Sequence, residues 1–176
     1  MSPNNLEAGY GDAPAIVADT VARAVAAGAV GFHLEDQVIG GAGLYLIEDQ
    51  SRCLLAARQE ADGMAVPVFI NARTDLFLKA APTNHDDSLV EEAVRRARAY
   101  ADAGASGIFV PGLVNEMPIE RVCRASPLPV NIMVIPTAPS AKRLAELGVA
   151  RISHGPGPYR VAMRALEGPA RSVYQT

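Results

Sequence analysis

The chain of 176 residues is 49% hydrophobic and carries a formal charge of -3, which suits one domain, residues 1–176, with a sizeable core and leaves no basic field for nucleic acid or an anionic membrane. No apolar run reaches the ~20 residues of a membrane span. The two cysteines, Cys53 and Cys123, have no metal-like spacing and no secretory leader upstream, so a soluble protein in a reduced cytoplasm is expected.

Residues 1–5 are polar. Leu6 to Asp12 then puts two glycines around Tyr10, which predicts a tight loop, with Asp12 as N-cap and Pro14 near the first helical position. The helix over 13–27 places Ile16, Val17, Thr20, Val21, Ala24 and Val25 on one face and stops at Gly28. A strand over 30–34 follows and runs into Glu35 and Asp36. Residues 37–45 hold three glycines and read as a mobile loop over the strand ends, a candidate lid. The helix over 47–63 is expected to turn Leu54, Leu55 and Ala56 inward.

In 66–77, Val68, Phe69 and Ile70 form a buried-strand run, and Asn71, Arg73 and Asp75 follow at alternate positions. Period 2 sends these three to one side, so an amide, a guanidinium and a carboxylate meet where the strand ends. A structural Arg73–Asp75 salt bridge with a cap accounts for the same pattern. Glu35 and Asp36 on the preceding strand end make a mixed-charge pocket suited to a divalent cation and an anionic ligand.

Residues 80–87 read as a polar loop, with Asp87 or Ser88 capping a helix over 89–103. Its Arg95, Arg96 and Arg98 are expected on a solvated face. A strand over 107–110 ends at Pro111-Gly112. A short helix, a strand over 129–134 containing Asn131, a helix over 140–147, a strand over 150–153 and a final helix complete the chain. Gly28, Gly104 and Gly148 sit at three similar helix-to-strand junctions. His33 and His154 read as packing or hydrogen-bonding residues, and His85 as solvated.

The pattern yields about five parallel strands, whereas a closed (β/α)8 barrel has eight and typically ~250 residues, roughly 75 more than this chain. An open doubly wound sheet is the alternative, although no glycine-rich nucleotide fingerprint follows a first strand.

The stretches Glu7 to Asp12 (Glu-Ala-Gly-Tyr-Gly-Asp), Gly31 to Asp36 (Gly-Phe-His-Leu-Glu-Asp), Phe69 to Asp75 (Phe-Ile-Asn-Ala-Arg-Thr-Asp), Gly107 to Gly112, Pro129 to Met133 and Val149 to Ser153, in this order, resemble the isocitrate lyase and phosphoenolpyruvate mutase superfamily. The resemblance implies the last five βα units, strands 4 to 8, of an incomplete TIM-type (β/α)8 barrel. It also implies a homo-oligomer, a tetramer or dimer, which in the family exchanges its last helix. The implied chemistry is that of a Mg²⁺- or Mn²⁺-dependent lyase or mutase. Such an enzyme works on a C–C or P–C bond next to a 2-oxo carboxylate, in oxaloacetate-, methylisocitrate- or phosphonopyruvate-like substrates.

By the same resemblance Glu35 holds the metal through water, Glu7 is a second acidic residue, and Arg73 binds the substrate carboxylate and steadies enolate charge. Asn131 and Gly112 line the substrate pocket. The sequence departs from the family at Asn5, where the family's direct metal ligand is an Asp, and in 37–45, which lacks the Lys-Lys-Cys-Gly-His proton-donor signature. Weak Mg²⁺ binding is therefore expected, with an unpaired sheet edge at 30–34. Two other readings stand beside this one: a non-catalytic remnant of the family, and a phosphate-ester enzyme using Gly155 to Gly157 as an anion cradle.

Overall fold

The computed structural model describes residues 4–174. Six parallel strands lie side by side in chain order: β1 (Asn4–Asn5), β2 (Gly31–Glu35), β3 (Phe69–Arg73), β4 (Gly107–Phe109), β5 (Val130–Met133) and β6 (Arg151–Ser153). Helices α1 (Pro14–Ala26), α2 (Ile47–Gly63), α4 (Asp87–Asp102), α5 (Glu116–Ala125) and α6 (Ala141–Glu146) connect them, with a one-turn α3 (Leu76–Lys79) after β3 and a terminal α7 (Gly157–Tyr174). This is a parallel α/β fold of the TIM-barrel type whose described strands form an open sheet, with β1 and β6 outermost.

The core follows from the helix periodicity. Val17, Val21 and Val25 of α1, Leu54, Ala57 and Ala61 of α2, and Val90, Ala93 and Ala97 of α4 are buried one turn apart, the stripe an amphipathic helix lays on a sheet. Every residue of β2 is buried. Helix α7 buries none. Gly28, Gly104 and Gly148 end three of the helices at φ of 95°, 90° and 92°, the left-handed turn that feeds each helix back into a strand.

The structure corrects several expectations. The strand at Gly31–Glu35 is not an edge, because Asn4–Asn5 pairs with it, extended by Leu6 N–H donating to His33 O at 3.1 Å and Glu35 N–H to Glu7 O at 2.7 Å. A dipeptide of asparagines carries no apolar strand signal, so only its partner reveals it. The residue that caps α1 is Ala13, not Asp12, and no side chain bonds to that end. Asp86, not Asp87 or Ser88, caps α4 by accepting from Leu89 N–H at 3.1 Å. Ile16 and Leu55 face outward, at 46% and 45% exposure. The loop over 80–87 contains a 3-10 turn, Pro82–Asn84. His85 packs edge-on against Phe77 at 5.1 Å rather than lying free in solvent. Residues 37–45 form a small hairpin, with Gln37 bridged to Leu44.

Candidate active site

The parallel register aligns Glu35 with Arg73, Arg73 with Phe109, Phe109 with Asn131 and Asn131 with Arg151. Register partners in a parallel sheet project from the same face, so these five side chains form one row, which starts at the C-terminal ends of β2, β3 and β4 and crosses to the second residue of β5 and the first of β6. Arg73 is its centre. Its Nε and Nη2 donate to the two oxygens of Asp75 at 2.6 and 3.1 Å, while Nη1 lies 2.7 Å from Glu35 Oε1. Both the expected strand-end salt bridge and the convergence of charge are present. The guanidinium also sits 5.7 Å from the Phe109 ring centre.

Glu35 is buried. Burial pushes its carboxyl above the ordinary range, against the opposing pull of Arg73 and of the Asn5 amide. Two residues deeper on the same face, Asn71 Nδ2 donates to His33 Nδ1 at 3.1 Å. An amide nitrogen only donates, so Nδ1 accepts and the neutral ring carries its proton on Nε2. Burial, then Arg151 and then Arg73, lower the pKa of His33 to about 4. This bears out its reading as a hydrogen-bonding residue.

Two clefts open on this row. One of about 410 Å³ is lined by Asn5, Glu7, Glu35, Gln37 and Arg73 among others. The other, of about 640 Å³, holds His33, Arg73, Phe109, Arg151, Ser153 and His154. Glu7 adopts φ of 50°, an unusual backbone for a non-glycine residue, and its N–H is held by Asn5 Oδ1 at 3.1 Å. Asn131 is buried one strand beyond Phe109 and donates from Nδ2 to Ser153 Oγ at 3.1 Å. Gly112, at φ of 88°, lies 3.0 Å (from an added Cβ) off the Phe77 backbone. It lets α3 lie down on the strand end, where Leu78 reaches the larger cleft.

Two residues read as site or surface belong to the interior. Asp36 turns away from Glu35, because adjacent strand residues face opposite sides. Its Oδ2 accepts from Arg96 Nη1 at 3.0 Å and Tyr100 Oη at 2.9 Å, and its Oδ1 from Asp75 N–H at 3.0 Å. Asp36 is thus a core acid and no cation ligand. Arg96 is 7% exposed and not on a solvated face; it also donates to Tyr45 O at 3.1 Å. Arg95 and Arg98 are exposed as expected.

Among the described residues no three His, Cys, Asp or Glu side chains gather as a metal site. Glu7 and Glu35 share the smaller cleft with the Asn5 amide, but Glu35 is already engaged by Arg73. A hard divalent cation needs several free oxygen ligands. These residues by themselves do not fit a Mg²⁺ or Mn²⁺ site.

The sequence profile of the Phosphoenolpyruvate phosphomutase family matches residues 4–174. The chain belongs to this family. An uncharacterised protein of Mycobacterium tuberculosis is 36% identical over 170 residues, covering 96% of this chain and 60% of its relative. A candidate phosphonomutase of Burkholderia cenocepacia superposes with a TM-score of 0.93 at 48% identity, covering 96% of this chain and 67% of that one. An oxaloacetate decarboxylase of Ectopseudomonas mendocina is 29% identical over 166 residues, covering 89% of this chain and 53% of that protein. The fold is also that of phosphonopyruvate hydrolase solved with oxalate and Mg²⁺, with a TM-score of 0.78 at 23% identity over 97% of this chain and 59% of that one. This phosphomutase-family chain thus spans about 60% of the length of its M. tuberculosis relative. No described helix is long and apolar enough to cross a membrane.

Proposed function

We propose that this phosphomutase-family chain binds a small 2-oxo carboxylate at Arg73 and belongs to an enzyme that breaks or forms the C–C or P–C bond beside that carboxylate. The carrying observation is Arg73 itself, clamped by Glu35 and Asp75 at a strand end with N–H groups left over toward open clefts. Held by two carboxylates, the guanidinium loses little freedom when a ligand arrives, so its remaining donors are pre-organised. When the bond next to the carboxylate breaks heterolytically, the electron pair moves onto the 2-oxo oxygen as enolate. The oriented N–H donors of Arg73 and the neutral Nε2–H of His33 suit that growing charge.

Magnesium binding by this chain is expected to be weak, and Asn5→Asp to improve it only slightly, since Glu35 stays paired with Arg73. Self-association and a cytoplasmic setting belong to the same reading. Support for self-association comes from α7, which exposes Val161, Met163, Leu166 and Val173 at 46–69%, a surface that a second copy would cover.

The test is calorimetric titration with oxalate and an oxaloacetate-decay assay, on wild type and Arg73→Ala. Expected is binding in the wild type that falls about tenfold or more in the variant, with only slow oxaloacetate turnover, because these residues hold a divalent cation weakly, and none in Arg73→Ala. Oxalate affinity indifferent to Arg73 would overturn the proposal. Binding without turnover would point to the non-catalytic reading, and Arg73-independent capture of inorganic phosphate to the Gly155–Gly157 cradle.

A further inference from the structure

Arg58, Arg73, Arg96 and Arg151 are the arginines among the described residues that are not exposed. Three of them have carboxylate, carbonyl or hydroxyl oxygens as partners. Arg58 donates to Gly104 O, Val68 O and Ser106 Oγ, Arg73 is paired with Glu35 and Asp75, and Arg96 with Asp36 and Glu92. Arg151 differs: no carboxylate of the described residues pairs with it, and its Nη1 is shut off from water without a hydrogen-bond partner. Shielding a guanidinium N–H with nothing to accept it is unfavourable by an amount comparable to a lost charged hydrogen bond.

Its place in the fold says what is missing. Arg151 is the register partner of Asn131 and shares the row that runs through Phe109 to Arg73. Arg151 and Arg73 line one cleft of about 640 Å³, together with His33, Ser153 and His154. Three strand spacings separate their backbones, about 14 Å along the sheet. Two arginine arms reaching in from that distance leave room for a ligand of a few carbon atoms. On the same row the 2%-exposed Asn131 likewise keeps its Oδ1 without a partner.

Charge points the same way. Arg73 is outnumbered by Glu35 and Asp75, so a carboxylate there meets oriented donors but no net positive charge. The uncompensated cation of the cleft is Arg151. We infer that Arg151 is a second anion anchor facing Arg73, and that the ligand is a small dianion with one anionic group on each arginine. This rests on the reading of Arg73 as the carboxylate-binding residue and adds a specificity-determining residue.

The experiment compares pyruvate, a monoanion, with malonate and oxaloacetate, dianions, by calorimetric titration at fixed ionic strength. Wild type, Arg73→Ala, Arg151→Gln and Arg151→Lys are used, each checked for a cooperative thermal transition well above the titration temperature. Wild type is expected to prefer the dianions. Arg151→Gln should lower dianion affinity about tenfold while leaving pyruvate within about twofold, so that the preference disappears; Arg151→Lys should retain part of it. Arg73→Ala should weaken both classes. Equal losses for pyruvate and malonate in Arg151→Gln, or none for either, would overturn the inference while leaving Arg73 untouched. Retained pyruvate binding in Arg73→Ala would instead sink the proposed function, with Arg151 standing as an independent anion site. Absence of any dianion binding by the wild type refutes both.

Discussion

Glu35 and Asp36 are neighbours in the chain, and each is buried against an arginine, yet the two clusters behave as opposites. On the interior side, Asp36 receives Arg96, Tyr100 and the Asp75 N–H, and is itself fully shielded. Arg96 is shared between Asp36, Glu92, Tyr100 and the Tyr45 carbonyl. Both carboxylate oxygens of Asp36 and the Nε and Nη1 of Arg96 are taken. On the cleft side, Arg73 holds Glu35 and Asp75 but keeps N–H groups for something else, and the Arg151 and Asn131 atoms along its row lack partners altogether. A saturated polar cluster is structure, whereas an unsaturated one at a cleft is a place for a ligand. The clusters touch through one residue, since Asp75 gives its carboxylate to Arg73 and its N–H to Asp36. The site is therefore built directly onto the core network.

The largest expected effect tests the sealed side. Arg96→Ala leaves the Asp36 carboxylate buried without its cation, and urea unfolding should show a loss of about 3–5 kcal/mol. A loss under about 1 kcal/mol would mean that the network is not the structural half of the pair.

Next comes pH, which acts on the cleft side through His33. Its folded pKa of about 4 lies below the ordinary 6.5, so its neutral ring stabilises the fold fully above pH 6.5, and that contribution is lost as pH falls toward 4. The loss is up to about 3 kcal/mol. Thermal unfolding across this window should decline in the wild type and flatten in His33→Asn.

Arg73→Ala should destabilise less than Arg96→Ala, about 1–3 kcal/mol, because water from the clefts can reach Glu35 and Asp75. The same denaturation experiment checks this, and equal losses at the two arginines would erase the distinction between the clusters. Gly112→Ala is expected to cost about 1–2 kcal/mol, since φ is 88° and Phe77 backbone atoms lie 3.0 Å from an added Cβ; a neutral result would show that α3 can shift.

The smallest effect is expected on α7. Leu166 is 63% exposed, so Leu166→Asp should change unfolding free energy by less than about 0.5 kcal/mol. Sedimentation velocity should register it instead, as loss of self-association. An unchanged sedimentation profile would argue against α7 as the contact surface.

Much of the fold was legible in the chain. The apolar runs ending in charge at Glu35 and Arg73, the one-turn spacing of Val17, Val21 and Val25 in α1, and the glycines at 28, 104 and 148 each rest on local chemistry. Period and backbone sterics act within a few residues, so sequence alone reveals them. The Arg73–Asp75 pair was legible for the same reason, being two positions apart on an extended segment.

Other features depended on residues far away in the chain. Arg95, Arg96 and Arg98 look alike in sequence; Arg96 is buried only because Asp36, sixty positions earlier, faces it across the interior. Asn4–Asn5 becomes a strand only by pairing with β2. Arg151 carries no local mark, and its meaning comes from sharing a row and a cleft with Arg73. Local pattern determined the parallel α/β elements and the charged strand ends. Tertiary structure decided which charges saturate one another and which stay open, because that depends on partners brought together from distant strands and helices.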